Sequence, residues 1–417
     1  MNYFFNSPDD EKLIKMLEYV SEHNDFYKNR IREYGIKNPL DIREWPILTR
    51  EELQKNRYGM FSDGYKSKYY GEQLRRQSSS GSTGIPVNVY WDYVDWYSSN
   101  MCLWRIRRKR FGIKPSDKYC VFTLNALGIT PENGKLYFIN RPDNLLSFNV
   151  SLIGDMSGYR QMAKMIADFE PKWLYIQPFV LNQLIFAYSD AKISPPKSIS
   201  YIESVGEILT TDLRKKAEDF FGIKITNMYG SEEMNGIAIE NSIGEMCVLS
   251  DNVFLEIENV ENTSGLISGE AVITSLYNRA MPLIRYRQGD IISAAVSKEK
   301  NNVGILTTVT GRKFDTVNIG NSILNPACIL EAMADVINQY NDAIRGYCFE
   351  INPSKRTILC KIEISELKKS WQKSIRHSIS ETFSKKFSVD GILTFDVEFV
   401  IKTDIDRKKR EIIKIVG

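Results

Sequence analysis

Short apolar runs alternate with amphipathic segments between residues 118 and 209, and this alternation constrains the fold most. The runs Tyr119–Leu124, Trp173–Gln177 and Tyr201–Val205 predict strands, and segments 159–169 and 181–190 predict helices. Strands separated by helices indicate βαβ units in a mostly parallel sheet. We therefore expect an α/β protein.

The rest of the chain predicts two further regions of different secondary structure. From Cys247 to about Arg287 helical patterns vanish, which indicates a small β region, and after Gly311 the pattern predicts a compact α+β module. We expect a large N-terminal domain over residues 1–311, with parallel-rich sheets, flanking helices and the small β region. A small, mobile α+β domain follows over residues 312–417. A length of 417 residues favours more than one domain.

The N-terminal third carries clear helix signals. Segment 9–34 predicts two helices, because Asn24 interrupts the apolar periodicity. Thr49 followed by Glu52 forms a capping-box pattern at the start of another helix. A long helix is expected from about Tyr93 to Phe111, and we interpret its basic end as cations at a helix C-terminus.

Charge and composition exclude several classes. A net charge of +3 gives no basic excess of the kind that nucleic-acid binders carry. Six scattered cysteines and two histidines offer few ligands for a zinc site. No signal peptide and no apolar run long enough for a membrane span is recognisable, so we expect a cytoplasmic protein without a membrane span. Oligomerisation is left open.

The segment SSSGSTGIP, residues 78–86, is rich in hydroxyl side chains and glycines. Backbone N–H groups and hydroxyls of such a loop can bind phosphate, and glycine permits close approach. It is not a Walker loop, because no Gly-Lys-Ser/Thr opens a helix. An ordinary polar loop is the alternative. The candidate phosphate-binding residues are Ser79, Ser80, Gly81, Ser82, Thr83 and Gly84.

Two further motifs follow predicted strands. One strand ends in Gly206-Glu207, and a later one ends in the run YGSEE, residues 229–233. Ligands of open parallel sheets bind beyond the carboxyl ends of strands. Tyr229 suits stacking on a base, and Glu233 suits a Mg²⁺ that bridges phosphates. A core tyrosine and solvated glutamates are the alternative.

The segments PLIRYRQGD (282–290) and GRKFD (311–315) complete the candidate set. In the first, two arginines lie on one side of a strand and Gly289 is expected to present Asp290 at a turn, where its carboxylate suits a ribose diol. Each segment alone is compatible with a plain turn.

In their order, these four motifs resemble those of the adenylate-forming enzymes, most closely the phenylacetate–CoA ligase-like branch with its capsule-biosynthesis relatives. The N-terminal segment and Asn325-Pro326 extend the likeness to nearly the whole chain. Within these four motifs, the chain departs from the family pattern at three positions. Ile85 stands where many members carry Lys, Glu232 replaces the usual Thr or Ser, and Phe314 replaces an aspartate.

The resemblance implies a two-step ligase. A carboxylic acid and ATP would give acyl-AMP and pyrophosphate, and the acyl group would then pass to a thiol, most readily that of coenzyme A. ATP, Mg²⁺ and coenzyme A are the implied cofactors. The implied nucleotide site consists of the loop 79–84, Gly206, Glu207, Tyr229, Gly230, Ser231, Asp290 and Arg312, with Glu233 on the metal.

The C-terminal part carries the remaining implied roles. Asp315 would be the hinge about which the small domain turns between the two steps. Lys408, with Lys409 as second choice, aligns with the family's lysine that binds developing charge during adenylation. The implied catalytic residues are therefore Lys408, Glu233 and Arg312. In front of this lysine, Asp406-Arg407 stands where the family has glycines.

Two other functions remain open. One keeps adenylation but transfers the acyl group, as an amide or an ester, to an amino sugar, another polysaccharide precursor or a carrier. The other is a catalytically degenerate nucleotide-binding scaffold, suggested by the departures from the family pattern.

Overall fold

The structure is a computed structural model of the chain. It describes residues 3–7, 9–78, 87–123, 136–150, 156–207, 209, 211–263, 266–296, 303–310, 317–319, 322–324, 329, 332–333, 336, 339–340, 343–364, 366–387, 394–400 and 413–416. The chain divides into two compact units, one of Met1–Ser79, Val87–Pro115 and Thr226–Arg312, the other of Ser80–Pro86, Ser116–Ile225 and Lys313–Gly417. The domain boundary expected at 311/312 stays a prediction.

The helices with continuous described backbone are numbered in chain order. They are α1 Glu11–His23, α2 Asp25–Tyr34, α3 Arg50–Asn56, α4 Tyr65–Tyr70, α5 Tyr93–Phe111, α6 Met156–Phe169, α7 Pro178–Ala191, α8 Thr211–Phe221 and α9 Gln372–Phe387, with 3₁₀ turns at Ile42–Glu44 and Glu366–Trp371.

The strands are numbered in the same way. They are β1 Tyr3–Phe4, β2 Arg75–Ser78, β3 Asn88–Trp91, β4 Tyr119–Thr123, β5 Tyr137–Asn140, β6 Leu145–Asn149, β7 Trp173–Ile176, β8 Tyr201–Val205, β9 Ile225–Ser231, β10 Asn235–Glu240, β11 Met246–Val248, β12 Val253–Thr263, β13 Leu266–Ser275, β14 Tyr286–Val296, β15 Val303–Thr310, β16 Val317–Ile319, β17 Ser322–Leu324, β18 Ile344–Asn352, β19 Thr357–Ile364, β20 Thr394–Val400 and β21 Ile413–Ile415.

The first unit is built on an antiparallel sheet. Its strand order is β1-β12-β13-β14-β15-β11-β10-β9. Helix α1 packs one apolar face, with Leu13, Leu17 and Val20, into the core of this unit. Asn24 caps α2 by accepting a hydrogen bond from the Tyr27 N–H, which confirms the predicted break between two helices.

The β region is larger than the sequence pattern predicted. We expected a small region that ends near Arg287, but antiparallel strands continue from β9 to the end of β15 at Thr310. Strands β12, β13 and β14 run for 11, 10 and 11 residues. Polar residues interrupt their apolar alternation, and pairing with both neighbours keeps those residues in strand conformation.

The second unit contains the predicted parallel sheet. Its strand order is β8-β7-β4-β6-β5. Strands β6, β4, β7 and β8 pair in parallel, and only β5 pairs antiparallel with its neighbour among these described strands. Helices α6, α7 and α8 contribute apolar residues such as Ile166, Leu181 and Ala217 to the core of this sheet. The α/β fold class is therefore confirmed.

Residues after 312 supply a separate sheet of order β20-β19-β18-β21 and the hairpin β16–β17. Helix α9 contributes Ile375, Ile379 and Phe383 to a core with β18 and β19. This is the α+β module that the sequence predicted. Among the helices in the described ranges, none is both long and apolar enough to cross a bilayer.

Candidate functional site

The YGSEE motif forms a tight hairpin between β9 and β10. Ser231 pairs with Asn235, and Gly230 pairs with Gly236. The hairpin needs glycine at position 230, because a Cβ there would lie 2.5 Å from the backbone oxygen of Asn235. The close approach of the two strands fixes the backbone positions from which the Tyr229 and Glu233 side chains extend.

The Gly230→Ala variant tests this constraint. The added Cβ must push the hairpin apart, and we expect a loss of about 1–3 kcal/mol in the free energy of unfolding. Gly71→Ala is the matched control, because the nearest atom to its Cβ would be the Ser67 oxygen at 3.4 Å, an ordinary contact. Thermal unfolding of both variants is the measurement. Equal stability of the two variants would contradict the proposed clash.

The segment that carries Asp290 is a β-bulge rather than the turn we expected. In the β13–β14 pair, Arg287 faces Val272 and Ile291 faces Glu270, so residues 288–290 lie opposite Ala271 alone. Gly289 adopts a φ of +96°, which a side chain would strain. Antiparallel pairing resumes at Ile291, which is why the strand continues. Bulges redirect side chains and are frequent beside active sites.

Three side chains meet at this bulge in a closed hydrogen-bonded triangle. The Tyr229 hydroxyl donates to Asp290 Oδ2 over 2.8 Å. Gln288 Nε2 donates to both the Tyr229 hydroxyl oxygen and Asp290 Oδ2, each over 2.7 Å. Two of the predicted site residues are thus brought together, and Gln288 joins them.

The environment keeps the tyrosine protonated. Burial, the Asp290 charge and the hydrogen bond to Asp290 raise the pKa of the Tyr229 hydroxyl well above its ordinary value. A protonated hydroxyl has one hydrogen to donate, and it goes to Asp290. The ring is therefore held in one orientation beside the carboxylate.

Glu233 lies almost buried at the end of the β9–β10 hairpin, 4% exposed. Its Oε1 is 3.8 Å from Nη1 of Arg50, the first residue of α3. Among the residues that the structure describes, none donates a hydrogen bond to the Glu233 carboxylate. A buried carboxylate with so little compensation favours a further cation.

This carboxylate fits the implied Mg²⁺. Magnesium in nucleotide sites takes one or two protein carboxylates and completes its shell with phosphates and water. No group of three or more potential metal-binding side chains occurs within the described ranges. Glu233 therefore suits a metal that arrives with a nucleotide.

The hairpin β2–β3 leads directly to the Ser/Gly-rich loop. Its strands pair antiparallel from Arg75 with Trp91 to Ser78 with Asn88. Gln77 Nε2 donates to Glu232 Oε2 over 3.1 Å and to Asn235 Oδ1 over 3.3 Å. The strand that precedes the loop is thus tied to the YGSEE hairpin.

The arginines of PLIRYRQGD anchor the bulged strand. Arg285 makes a two-pronged contact with Glu256, with both N···O distances 3.0 Å, and donates to the Trp45 carbonyl. Arg285 and Arg287 both contact Glu258, so their side chains lie on the same side, as expected. Arg285 itself precedes β14 and has a φ of +49°, so only Arg287 lies on the strand. They hold the bulge and do not point to a ligand.

Gly206 and Glu207 lie in the second unit, at the end of β8. Gly206 has a φ of +79°. Glu207 Oε2 accepts a hydrogen bond from the Phe179 N–H over 2.9 Å, near the start of α7. This pair occupies the carboxyl end of the parallel sheet, where the sequence placed it.

The remaining predicted site residues lie outside the described residues. These are Ser79, Ser80, Gly81, Ser82, Thr83, Gly84, Arg312, Asp315, Lys408 and Lys409.

Sequence reasoning missed Arg50, Gln77 and Gln288. Arg50 follows the N-cap Thr49, whose capping box with Glu52 the structure confirms. A cation at that position looks like an ordinary surface charge in the sequence. Gln288 lay inside a motif already singled out, and its position two residues before Asp290 was the available signal.

Comparison with known proteins supports the resemblance. No protein-family model matches the chain. A phenylacetate–coenzyme A ligase of Thermus thermophilus is 25% identical over 356 residues, 81% of this chain and 77% of the relative. Protein CapK of Staphylococcus aureus is 22% identical over 68% of this chain and 62% of its own length.

Among solved structures, a 2-hydroxyisobutyryl-CoA ligase in complex with its acyl-AMP and coenzyme A has a TM-score of 0.62. The two sequences are 18% identical, and the matched region covers 97% of this chain and 88% of the ligase chain, which shows a common fold. These relatives confirm the similarity to the phenylacetate–CoA ligase-like branch of adenylate-forming enzymes.

Proposed function

We propose that the protein is an AMP-forming acid–coenzyme A ligase. The carboxylate of an acid attacks the α-phosphorus of ATP, the bond to the bridging oxygen breaks, and acyl-AMP and pyrophosphate form. The thiolate of coenzyme A then attacks the acyl carbon and AMP leaves. The observation that carries this proposal is the Tyr229–Gln288–Asp290 triangle next to the hairpin of Glu233.

Each of the predicted nucleotide-binding groups has a proposed role. The Tyr229 ring stacks on adenine, Asp290 with Arg312 binds the ribose, and Glu233 holds Mg²⁺. When bound, Mg²⁺ neutralises charge on the phosphates. The loop 79–84 binds the β- and γ-phosphates through its N–H groups and hydroxyls. Gly230 and Ser231 shape the wall of the nucleotide site.

The remaining roles follow from the resemblance. Gly206 and Glu207 border the acyl end of the nucleotide, at the carboxyl end of the second unit's sheet. Lys408 or Lys409 stabilises charge during adenylation, and Asp315 is the hinge for the small domain. An amine acceptor on a sugar or other polysaccharide precursor is the second candidate, which the resemblance to capsule-biosynthesis relatives suggests.

Carboxylate-dependent ATP–pyrophosphate exchange tests the proposal. We expect exchange with at least one acid from a panel of aryl, short aliphatic and sugar acids, because the site neutralises phosphate charge during attack. ATP binding without exchange for any acid would favour the scaffold. With an active acid, product formation is then compared for coenzyme A and for amino sugars. Robust AMP release without a thioester would reject coenzyme A as acceptor.

A further inference from the structure

We propose that Gln288 binds the sugar of the nucleotide and discriminates ribose from deoxyribose. Its side-chain carbonyl oxygen accepts a hydrogen bond from one ribose hydroxyl, while Asp290 Oδ1 accepts one from the neighbouring hydroxyl. The inference rests on the proposed function, because it requires a nucleotide beside Tyr229.

The orientation of the Gln288 amide follows from its two partners. Its nitrogen contacts Asp290 Oδ2 and the Tyr229 hydroxyl oxygen, both at 2.7 Å. An ionised carboxylate only accepts hydrogen bonds, so the amide nitrogen must face it. The Tyr229 hydrogen is already donated to Asp290, so the Tyr229 oxygen needs a donor as well. The amide oxygen therefore points away from both partners.

That oxygen is buried and lacks a hydrogen-bond partner among the described residues. Gln288 is 5% exposed, and within the part of the chain that the structure describes its Oε1 accepts no hydrogen bond. Amide geometry separates Oε1 from Nε2 by about 2.2 Å, so the unused acceptor lies beside the triangle. A buried acceptor without a partner costs free energy, which a ligand hydroxyl would offset.

Asp290 offers the second acceptor. Both of its hydrogen bonds end on Oδ2, and among the described residues none reaches Oδ1. Two neighbouring acceptors match a pair of adjacent hydroxyls, because each hydroxyl can donate. The adenine edge fits less well, since ring-nitrogen acceptors flank its amino group. A ribose diol is therefore the ligand group that satisfies both oxygens.

The bulge explains why these two side chains meet. In a regular strand, residues two apart lie on one face with their backbones separated by about 7 Å along the strand. Residues 288–290 instead lie opposite Ala271 alone, with Gly289 in the left-handed region. The local bend lets Gln288 reach the carboxylate of Asp290 directly.

The test measures binding of ATP, 2′-deoxy-ATP, 3′-deoxy-ATP and inosine triphosphate by calorimetry, for the wild-type protein and for Gln288→Leu. We expect the wild type to bind each deoxynucleotide about 5–10-fold more weakly than ATP, because each lacks one of the two hydrogen bonds. In Gln288→Leu the ratio for one deoxynucleotide should fall to about 1, because its acceptor is gone, while the ratio for the other, whose missing hydroxyl faces Asp290, should remain.

A buried glutamine elsewhere in the chain serves as the control. Gln183 in the second unit is also 5% exposed, and its Oε1 lacks a hydrogen-bond partner among the described residues. Gln183→Leu removes this equally buried amide and should keep the wild-type ratios. If Gln288→Leu weakens ATP and both deoxynucleotides by one factor, the residue is only structural and the inference fails. It also fails if discrimination against inosine triphosphate is what disappears. A wild type that binds no ATP would instead overturn the proposed function.

Discussion

Replacement of Glu233 by glutamine is expected to lower ATP–pyrophosphate exchange by about 10²–10³-fold. The glutamine keeps the size of the side chain and removes the charge that we assign to the metal. Initial exchange rates at several Mg²⁺ concentrations are the measurement. A higher Mg²⁺ concentration should restore part of the rate, because weaker metal binding is the cause of the loss.

Glu232→Gln is the matched control for this prediction. Its carboxylate accepts a hydrogen bond from Gln77, and we assign no metal to it, so exchange should change less than about threefold. Exchange that survives in Glu233→Gln at wild-type Mg²⁺ dependence would remove Glu233 from the metal site.

The neighbouring Arg50 provides a second check. The pair is buried on both sides, with 11% of the Arg50 and 5% of the Glu233 side chain exposed. Loss of the carboxylate leaves a buried cation less compensated, so Glu233→Gln should also unfold at a lower temperature. The double variant Arg50→Met/Glu233→Gln should recover thermal stability without recovering exchange. Recovery of both would mean that Glu233 acts through folding alone.

Local patterns predicted the elements of this chain well. Helix α5 spans Tyr93–Phe111 and strand β8 spans Tyr201–Val205, as expected. These elements follow from short-range signals such as the N-cap Asp92, which accepts a hydrogen bond from the Val94 N–H. Strand β9, which leads into the YGSEE motif, was likewise predicted from nearby residues.

The site depends on contacts that no local pattern encodes. In the triangle, Tyr229 lies 61 positions before Asp290 and 59 positions before Gln288 in the sequence, and the shape of the triangle needs the bulge in β14. The motif GD predicted a turn at Gly289, because glycine with a positive φ is common in turns. Pairing of β14 with β13 and β15 outweighed that local preference. The contact between Arg50 and Glu233 is also a long-range one, because it joins the start of α3 to the β9–β10 hairpin, far away in the sequence.

Loss of Arg285 is expected to have the largest effect on stability. Its side chain is 6% exposed and contacts Glu256, which is fully buried, and also Glu258. The Arg285→Met variant would leave both carboxylates without this cation, at a cost of about 3–5 kcal/mol in the free energy of unfolding. For a unit of this size, that cost lowers the unfolding temperature by roughly 6–20 °C. Differential scanning calorimetry gives the measurement.

Arg43→Met is the matched control for Arg285→Met. Arg43 makes an equally two-pronged contact with Asp41, with both N···O distances 2.7 Å, but its side chain is 59% exposed. Water screens an exposed pair, so this variant should lose at most about 1 kcal/mol. Because Arg285 also anchors the strand that carries Gln288 and Asp290, its replacement should weaken ATP binding below the unfolding temperature. Equal shifts for both variants would show that burial adds nothing to the Arg285 cluster, and the bulge would then owe its position to strand pairing alone.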